Sequence, residues 1–124
     1  MGCKMKKKVL LFAMLVVLLA APCWAVEDYA QSSGLLSSSG VVGVSGGSYA
    51  LVSLEAITDG TNDTTVIAYN GTTTGGQALV SFYCVASSRF CGATFPYPLI
   101  ANNGLYISIT GSGSPGAIAT YMPR

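Results

Sequence analysis

Cys84 and Cys91 are the residues of this chain whose type and spacing most clearly permit chemistry. An even pair of cysteines in an oxidising compartment is typical of a disulfide. Zinc binding requires four ligands, and the chain has no histidine to complete such a site. Redox-active pairs usually have the closer Cys-x-x-Cys spacing. We therefore expect a structural disulfide, with free thiols and metal or redox chemistry as the alternatives.

Other catalytic groups are scarce in this chain. A hydrolytic triad needs a base, almost always histidine, and there is none. Glu55, Asp59 and Asp63 formally permit two-carboxylate chemistry. Glu55 lies on a predicted strand and Asp59 at its end, on the same face by their even spacing. A solvated strand carboxylate and a turn aspartate explain the same pattern more simply. The sequence therefore predicts a protein that is not an enzyme and has no cofactor.

Two weaker patterns indicate binding. Asp59, Asn62 and Asp63 place several oxygen ligands in one loop, as calcium sites do, although tight turns favour the same residue types. Exposed tyrosine rings can stack on sugars, and Tyr97 and Tyr106 are the candidates for such contacts. We keep the loop as a weak calcium candidate and the tyrosines as a glycan-binding hypothesis.

Residues 1–25 have the three parts of a bacterial-type secretory signal peptide. All four lysines of the chain lie among the first eight residues. An apolar run from Val9 to Ala21 follows, shorter than the roughly 20 residues that span a membrane. Cys23 and Ala25 fit the small-residue positions before a cleavage site, so we expect cleavage after Ala25 and a secreted, extracellular protein. An uncleaved anchor or a lipidated Cys23 are the alternatives.

The body that remains after cleavage, residues 26–124, carries very little charge. It has five carboxylates and two arginines, Arg89 and Arg124, and no lysine or histidine. Nucleic-acid binding depends on clustered basic residues, and no basic patch can form here. The sequence therefore excludes nucleic acid as a partner, and no membrane association is expected once the signal peptide is removed.

The body alternates short strand patterns with turn residues. Period-2 alternation or β-branched residues mark five strands: Ser48–Thr58, Thr64–Tyr69, Gln77–Val85, Leu105–Thr110 and Ala117–Met122. The segment 95–98 contains Pro96 and Pro98, which lack ladder donors and indicate an edge or crossover. The sequence predicts an all-β protein, a small antiparallel β-sandwich (jelly-roll or Ig-like) or barrel of about 6–8 short strands.

The sequence also predicts which residues of the first strand face inward and where the sandwich domain begins. In the first strand the alternation places Ala50, Val52, Leu54 and Ala56 on one face, with Leu51 opposite. Before that strand lies a Ser/Gly-rich leader, residues 26–47, so that the sandwich domain is expected over residues 48–124. The leader has strand-forming residues at Val41, Val42 and Val44. It is either the first strand of its own sandwich or a strand donated to a neighbouring copy.

The order "SYALVSLEAITDGTNDTTVIAYNGT", then a proline-containing stretch, then "NGLYISITGSG" and a final short strand, resembles small β-sandwich proteins of tailed-phage and prophage structural gene clusters. The resemblance covers residues 48–121 and rests on short, turn-dominated motifs. It implies a non-enzymatic structural module or virion decoration protein. The signal peptide and the pair Cys84 and Cys91 depart from that family, because its virions assemble in the cytoplasm.

Low charge and apolar strands favour one function above the others. Uncharged sheet edges invite pairing between chains, so we expect an exported structural subunit that associates with copies of itself into a fibre, sheath or surface layer. The alternatives are a secreted module that binds carbohydrate or a cell surface, and a phage-type virion decoration protein.

Overall fold

The computed structural model of this protein describes residues 30–124. The predicted signal peptide and its cleavage site at Ala25 lie outside the described residues. Eight strands follow one another along the chain, with a short 3-10 turn at Ala86–Ser88 between the fifth and the sixth. The strands are β1 (Gln31–Ser32), β2 (Gly40–Val42), β3 (Tyr49–Ile57), β4 (Thr64–Asn70), β5 (Gln77–Cys84), β6 (Phe90–Ala101), β7 (Leu105–Gly111) and β8 (Gly116–Pro123).

The strands form two four-stranded antiparallel sheets, ordered β1-β8-β3-β6 and β2-β7-β4-β5. In the pairs β1–β8, β2–β7, β3–β6 and β4–β5, a strand of the first half of the chain pairs with one of the second half, as if one long hairpin had been rolled up. This is a jelly-roll arrangement. The all-β sandwich expected from the sequence is therefore confirmed, in its jelly-roll form and not as a closed barrel.

Apolar side chains from the inner faces of both sheets form one core. The fully buried large side chains include Leu51 and Leu54 from β3, Val66 from β4, and Leu105 and Ile107 from β7. Small residues, Ala56, Ala68, Ala117 and Ala119, lie among them with no exposed surface. The inward set of β7 is the one that its alternation predicts, because Leu105, Ile107 and Ile109 all contact the core.

The predicted inward face of β3 is wrong at its N-terminal end. The register of β3 against both neighbours shifts between Leu51 and Ser53. This bulge reverses the alternation, so that Tyr49 and Leu51 join Leu54 and Ala56 in the core. Val52, expected to point inward with Leu54, is only half-buried. A period of two residues cannot reveal such an inserted residue, because each half of the strand alternates correctly.

The Ser/Gly-rich leader contributes two strands to the sandwich of its own chain. Gly40–Val42 pairs with residues 105–107 of β7, and Gln31–Ser32 pairs with β8. Val42 is buried, whereas Val44 lies beyond the strand and is exposed. The Val44 N–H donates to the Tyr49 hydroxyl at 2.6 Å. The ordered sandwich therefore begins within the leader, ahead of the expected start at residue 48.

Among residues 30–124, no helix has the length and apolar character that a membrane span requires.

Candidate assembly surface at the open side of the sandwich

A disulfide joins the two sheets at one side of the sandwich. Cys84 ends β5 and is fully buried, and its sulfur is bonded to Cys91 near the start of β6, with the Cα atoms 5.4 Å apart. The predicted disulfide is confirmed. Thr58, at the end of β3, anchors the same corner: its hydroxyl donates to the Ala86 carbonyl and its N–H to the Arg89 carbonyl, each at 2.8 Å.

The strands that the disulfide joins are both edge strands. β5 ends the second sheet and β6 ends the first, on the same side of the molecule. We call the strip formed by these two strands and the corner between them the β5–β6 side. Neither strand contains a charged residue. Five of the eight large exposed hydrophobic residues of the described chain lie here: Tyr83, Val85, Phe90, Tyr97 and Ile100.

Within β6, a proline-containing bulge holds one half-buried and one exposed aromatic ring. Residues 90–94 pair with β3, residues 99–101 pair with it again, and residues 95–98 have no paired partner there. Phe95 is half-buried and its ring stacks on Phe82 of β5, with the ring centres 6.5 Å apart. Tyr97 is 87% exposed. The predicted edge position of this segment is confirmed. Phe95 covers the core between the sheets, whereas Tyr97 faces solvent.

The predicted calcium loop is held by its own hydrogen bonds. The Asp59 carboxylate accepts from the N–H groups of Thr61, Asn62 and Ser114 at 2.8–3.1 Å and from the Asn62 amide at 3.2 Å. The donation from the Thr61 N–H, followed by those from Asn62 and Ser114, holds the pKa of Asp59 far below its ordinary value. These hydrogen bonds explain the conformation of the loop without a cation. Calcium binding stays a prediction.

Asp63 connects the loop to β5. Its carboxylate accepts from the Tyr83 hydroxyl and from the Ala86 N–H. The Tyr83 hydrogen bond, followed by that of Ala86, lowers the pKa of Asp63, and the same bond raises the pKa of Tyr83. Across residues 30–124, no three His, Cys, Asp or Glu side chains gather as a metal site would require. Through its hydrogen bond with the Tyr83 hydroxyl, Asp63 anchors the exposed Tyr83 ring.

A shallow polar groove lies on the outer face of the first sheet. It has a volume of about 410 Å³ and is lined by Ser53, Glu55, Phe90, Gly92, Ala93 and Thr94. Gly92 pairs directly with Glu55, so no side chain stands opposite that carboxylate. Phe90 is exposed at the end of the groove. A carboxylate, hydroxyl groups and an aromatic ring together can recognise a neutral, hydroxyl-rich ligand.

The two tyrosines of the glycan hypothesis lie apart from that groove. Tyr106 is half-buried on the outer face of the second sheet, where its ring centre is 6.4 Å from that of Tyr69. Tyr97 stands on the bulge of β6 in the first sheet. The structure thus does not bring Tyr97 and Tyr106 into one site. Phe90 was not predicted as a binding residue, because no local pattern in the sequence distinguishes its exposed ring.

Scans against protein-family models, curated proteins and solved structures found no match for this chain.

Proposed function

We propose that this protein is an exported, non-enzymatic structural subunit that associates with copies of itself into a fibre, sheath or surface layer. The observation that carries the proposal is the β5–β6 side. It combines two edge strands without charge and five exposed apolar side chains. Exposed apolar residues gathered on one side mark interaction surfaces on soluble proteins, and edges without charge lack one of the usual protections against pairing.

The distribution of charge supports the same proposal. The described residues carry three carboxylates and two arginines. Two of these carboxylates, those of Asp59 and Asp63, accept hydrogen bonds from backbone N–H groups and so stabilise loops of the same chain. Copies of such a body repel one another weakly, because few charges remain to oppose close contact. Jelly-roll domains are also found in viral capsids and lectins, which is an analogy at the level of the fold.

Sedimentation velocity, together with electron micrographs, tests the proposal. The protein is recovered from the oxidising compartment into which it is exported and is measured from low micromolar to millimolar concentration. We expect mass to rise with concentration and ordered assemblies to be visible at the upper end. A strict monomer over the whole range would contradict the proposal.

Export is tested separately by the mass of the recovered protein. Cleavage after Ala25 gives a chain that begins at Val26, and both cysteines of that chain, Cys84 and Cys91, are oxidised. Intact-mass measurement with and without reduction measures both features. A mass that retains residues 1–25 would contradict cleavage and leave the anchor as the better explanation.

The groove beside Glu55 favours a second candidate function, binding of a neutral oligosaccharide. Phe90 offers a ring face for a sugar, and Ser53, Thr94 and Glu55 offer hydroxyl and carboxylate partners. Calorimetry with soluble gluco-, manno- and chito-oligosaccharides tests this candidate. We expect Phe90→Ala and Glu55→Gln each to abolish binding that the wild type shows, and Tyr106→Ala, on the other sheet, to leave it unchanged. Absence of binding by the wild type counts against this candidate.

A further inference from the structure

Three of the four sheet edges in this jelly roll are protected against pairing, and one is not. The outer strands β1 and β2 have two and three residues, and short edges offer few hydrogen-bonding groups. β6 is longer, but its bulge at residues 95–98 carries Pro96 and Pro98. Prolines and bulges are the means by which proteins blunt an edge. Only β5 remains.

The β5 edge has the features that permit pairing. The strand is eight residues long, without proline or charge. From Val80 to Cys84 it runs in unbroken register with β4, and its one shift lies at Leu79. Since β4 is its only partner among the described strands, the backbone groups of β5 that point away from β4 form a row available to another strand.

We propose that β5 of one copy pairs antiparallel with β5 of a second copy about a two-fold axis near Ser81. This inference rests on the proposed self-association and names the contact that makes it. The two second sheets then form one continuous eight-stranded sheet across the dimer. Such a contact is isologous, because the same strand is used by both partners.

The absence of charge on β5 favours a second copy over an acidic or basic partner. A residue at a two-fold axis lies close to its own duplicate, so a charge at the axis meets the same charge. Near Ser81 the neighbours are Val80 and Phe82, which face the core, and the exposed Tyr83. None of them is charged. A charged peptide would find no complementary side chain on this strand, whereas a copy of β5 brings no charged side chain of its own.

Ser81 and Ser108 provide a matched pair of positions for the test. Both pair with Ile67 of β4, one from each side, and therefore stand in one row on the same outer face. Ser81 lies on the free edge, whereas Ser108 lies on β7, an inner strand of the sheet. A lysine at either position adds the same charge to the same face. Only the lysine at position 81 meets its duplicate across the proposed axis.

The experiment compares sedimentation of the exported wild type, Ser81→Lys and Ser108→Lys, with circular dichroism and intact mass to establish the fold and the disulfide. We expect the dimer dissociation constant of Ser81→Lys to rise by about tenfold or more, and that of Ser108→Lys to stay near the wild-type value. A mixture of Ser81→Lys with Ser81→Asp should restore the dimer, because opposite charges then face each other. If Ser81→Lys does not fold, Ser81→Asp alone replaces it in the comparison.

The outcomes separate this contact from the proposed function. If the wild type associates and Ser81→Lys associates equally well, pairing through β5 is wrong while self-association stands. Equal weakening by both lysine variants, or a mixture that stays monomeric, overturns the β5 contact as well. A wild type that remains monomeric overturns both.

Discussion

At the scale of single residues, Asp59 organises the loop between β3 and β4. Its carboxylate receives donors from its own turn and from Ser114 of the hairpin between β7 and β8. It thereby joins loops that are far apart in sequence. Gly113, with a φ of +73°, lets that hairpin approach: a Cβ there would overlap the Asp59 carboxylate. Asp59, Asn62 and Asp63, the residues of the calcium hypothesis, thus stabilise the loops through hydrogen bonds.

The Asp59 interactions predict a pH-dependent stability. Because the pKa of Asp59 is lowered in the folded state, its stabilising effect is complete above the ordinary aspartate pKa and is lost as pH falls through the folded value. We expect Asp59→Asn to unfold at lower temperature than the wild type at pH 7, and the gap to narrow below about pH 4. Thermal unfolding measured against pH checks this, and a gap that stays constant would contradict it.

The disulfide predicts a second effect at this scale. Joining Cys84 to Cys91 closes a short ring, which stabilises by about 2–3 kcal/mol in the chain-entropy model. We expect Cys84→Ala/Cys91→Ala to lose about that much free energy of unfolding in urea. The wild type measured in reductant is the control and should match the double variant. An unchanged free energy would show that the bond adds nothing to the fold.

At the scale of elements, β6 both covers the core at one side of the sandwich and exposes an aromatic ring there. Its bulge directs Phe95 onto Phe82 and leaves Tyr97 exposed two residues later. The same irregularity prevents β6 from offering a continuous edge, since residues 95–98 have no paired partner on β3. The pairing surface that we propose is therefore β5, with exposed rings from β6 beside it.

Replacement by alanine should lower the free energy of unfolding much more at Phe95 than at Tyr97. Phe95 is half-buried against the core, so Phe95→Ala should cost about 1.5–3 kcal/mol of unfolding free energy. Tyr97 is almost fully exposed, so Tyr97→Ala should change stability by less than about 0.5 kcal/mol. Urea denaturation of the two variants checks this. A loss at Tyr97 as large as that at Phe95 would contradict the assignment of inward and outward rings.

Strand existence could be predicted from the sequence, whereas pairing and register could not. Alternation in β7 places Leu105 and Ile107 on the same face, and both are fully buried, because each side chain there follows the local period. The bulge at Val52 depends on contacts with β6 and β8, which no local pattern contains. The disulfide could be predicted from the number and spacing of the cysteines and from the expected export, but the free edge of β5 could not. The prolines of β6 mark an edge in the sequence, but the edge of β5 carries no such residue, so only the sheet order reveals it.

At the scale of the whole molecule, low charge and a jelly roll with one unprotected edge point to association between copies. The described body has five charged side chains, and none lies in β5 or β6. We therefore propose that its solubility depends on polar surface and on how the β5–β6 side is covered. The resemblance to phage structural proteins, like the export of the chain, stays a prediction.

Hydrogen exchange at two protein concentrations tests the central claim most directly. Amides of β5 that point away from β4 should exchange quickly when the exported protein is dilute and slowly when it is concentrated, because a second β5 then covers them. Peptides that span residues 40–42 of β2, the opposite edge of the same sheet, serve as the control within the same sample. We predict concentration-dependent protection in residues 80–84 that exceeds any change in the control. Exchange in residues 80–84 that does not change with concentration, in a sample shown to associate, would contradict the account.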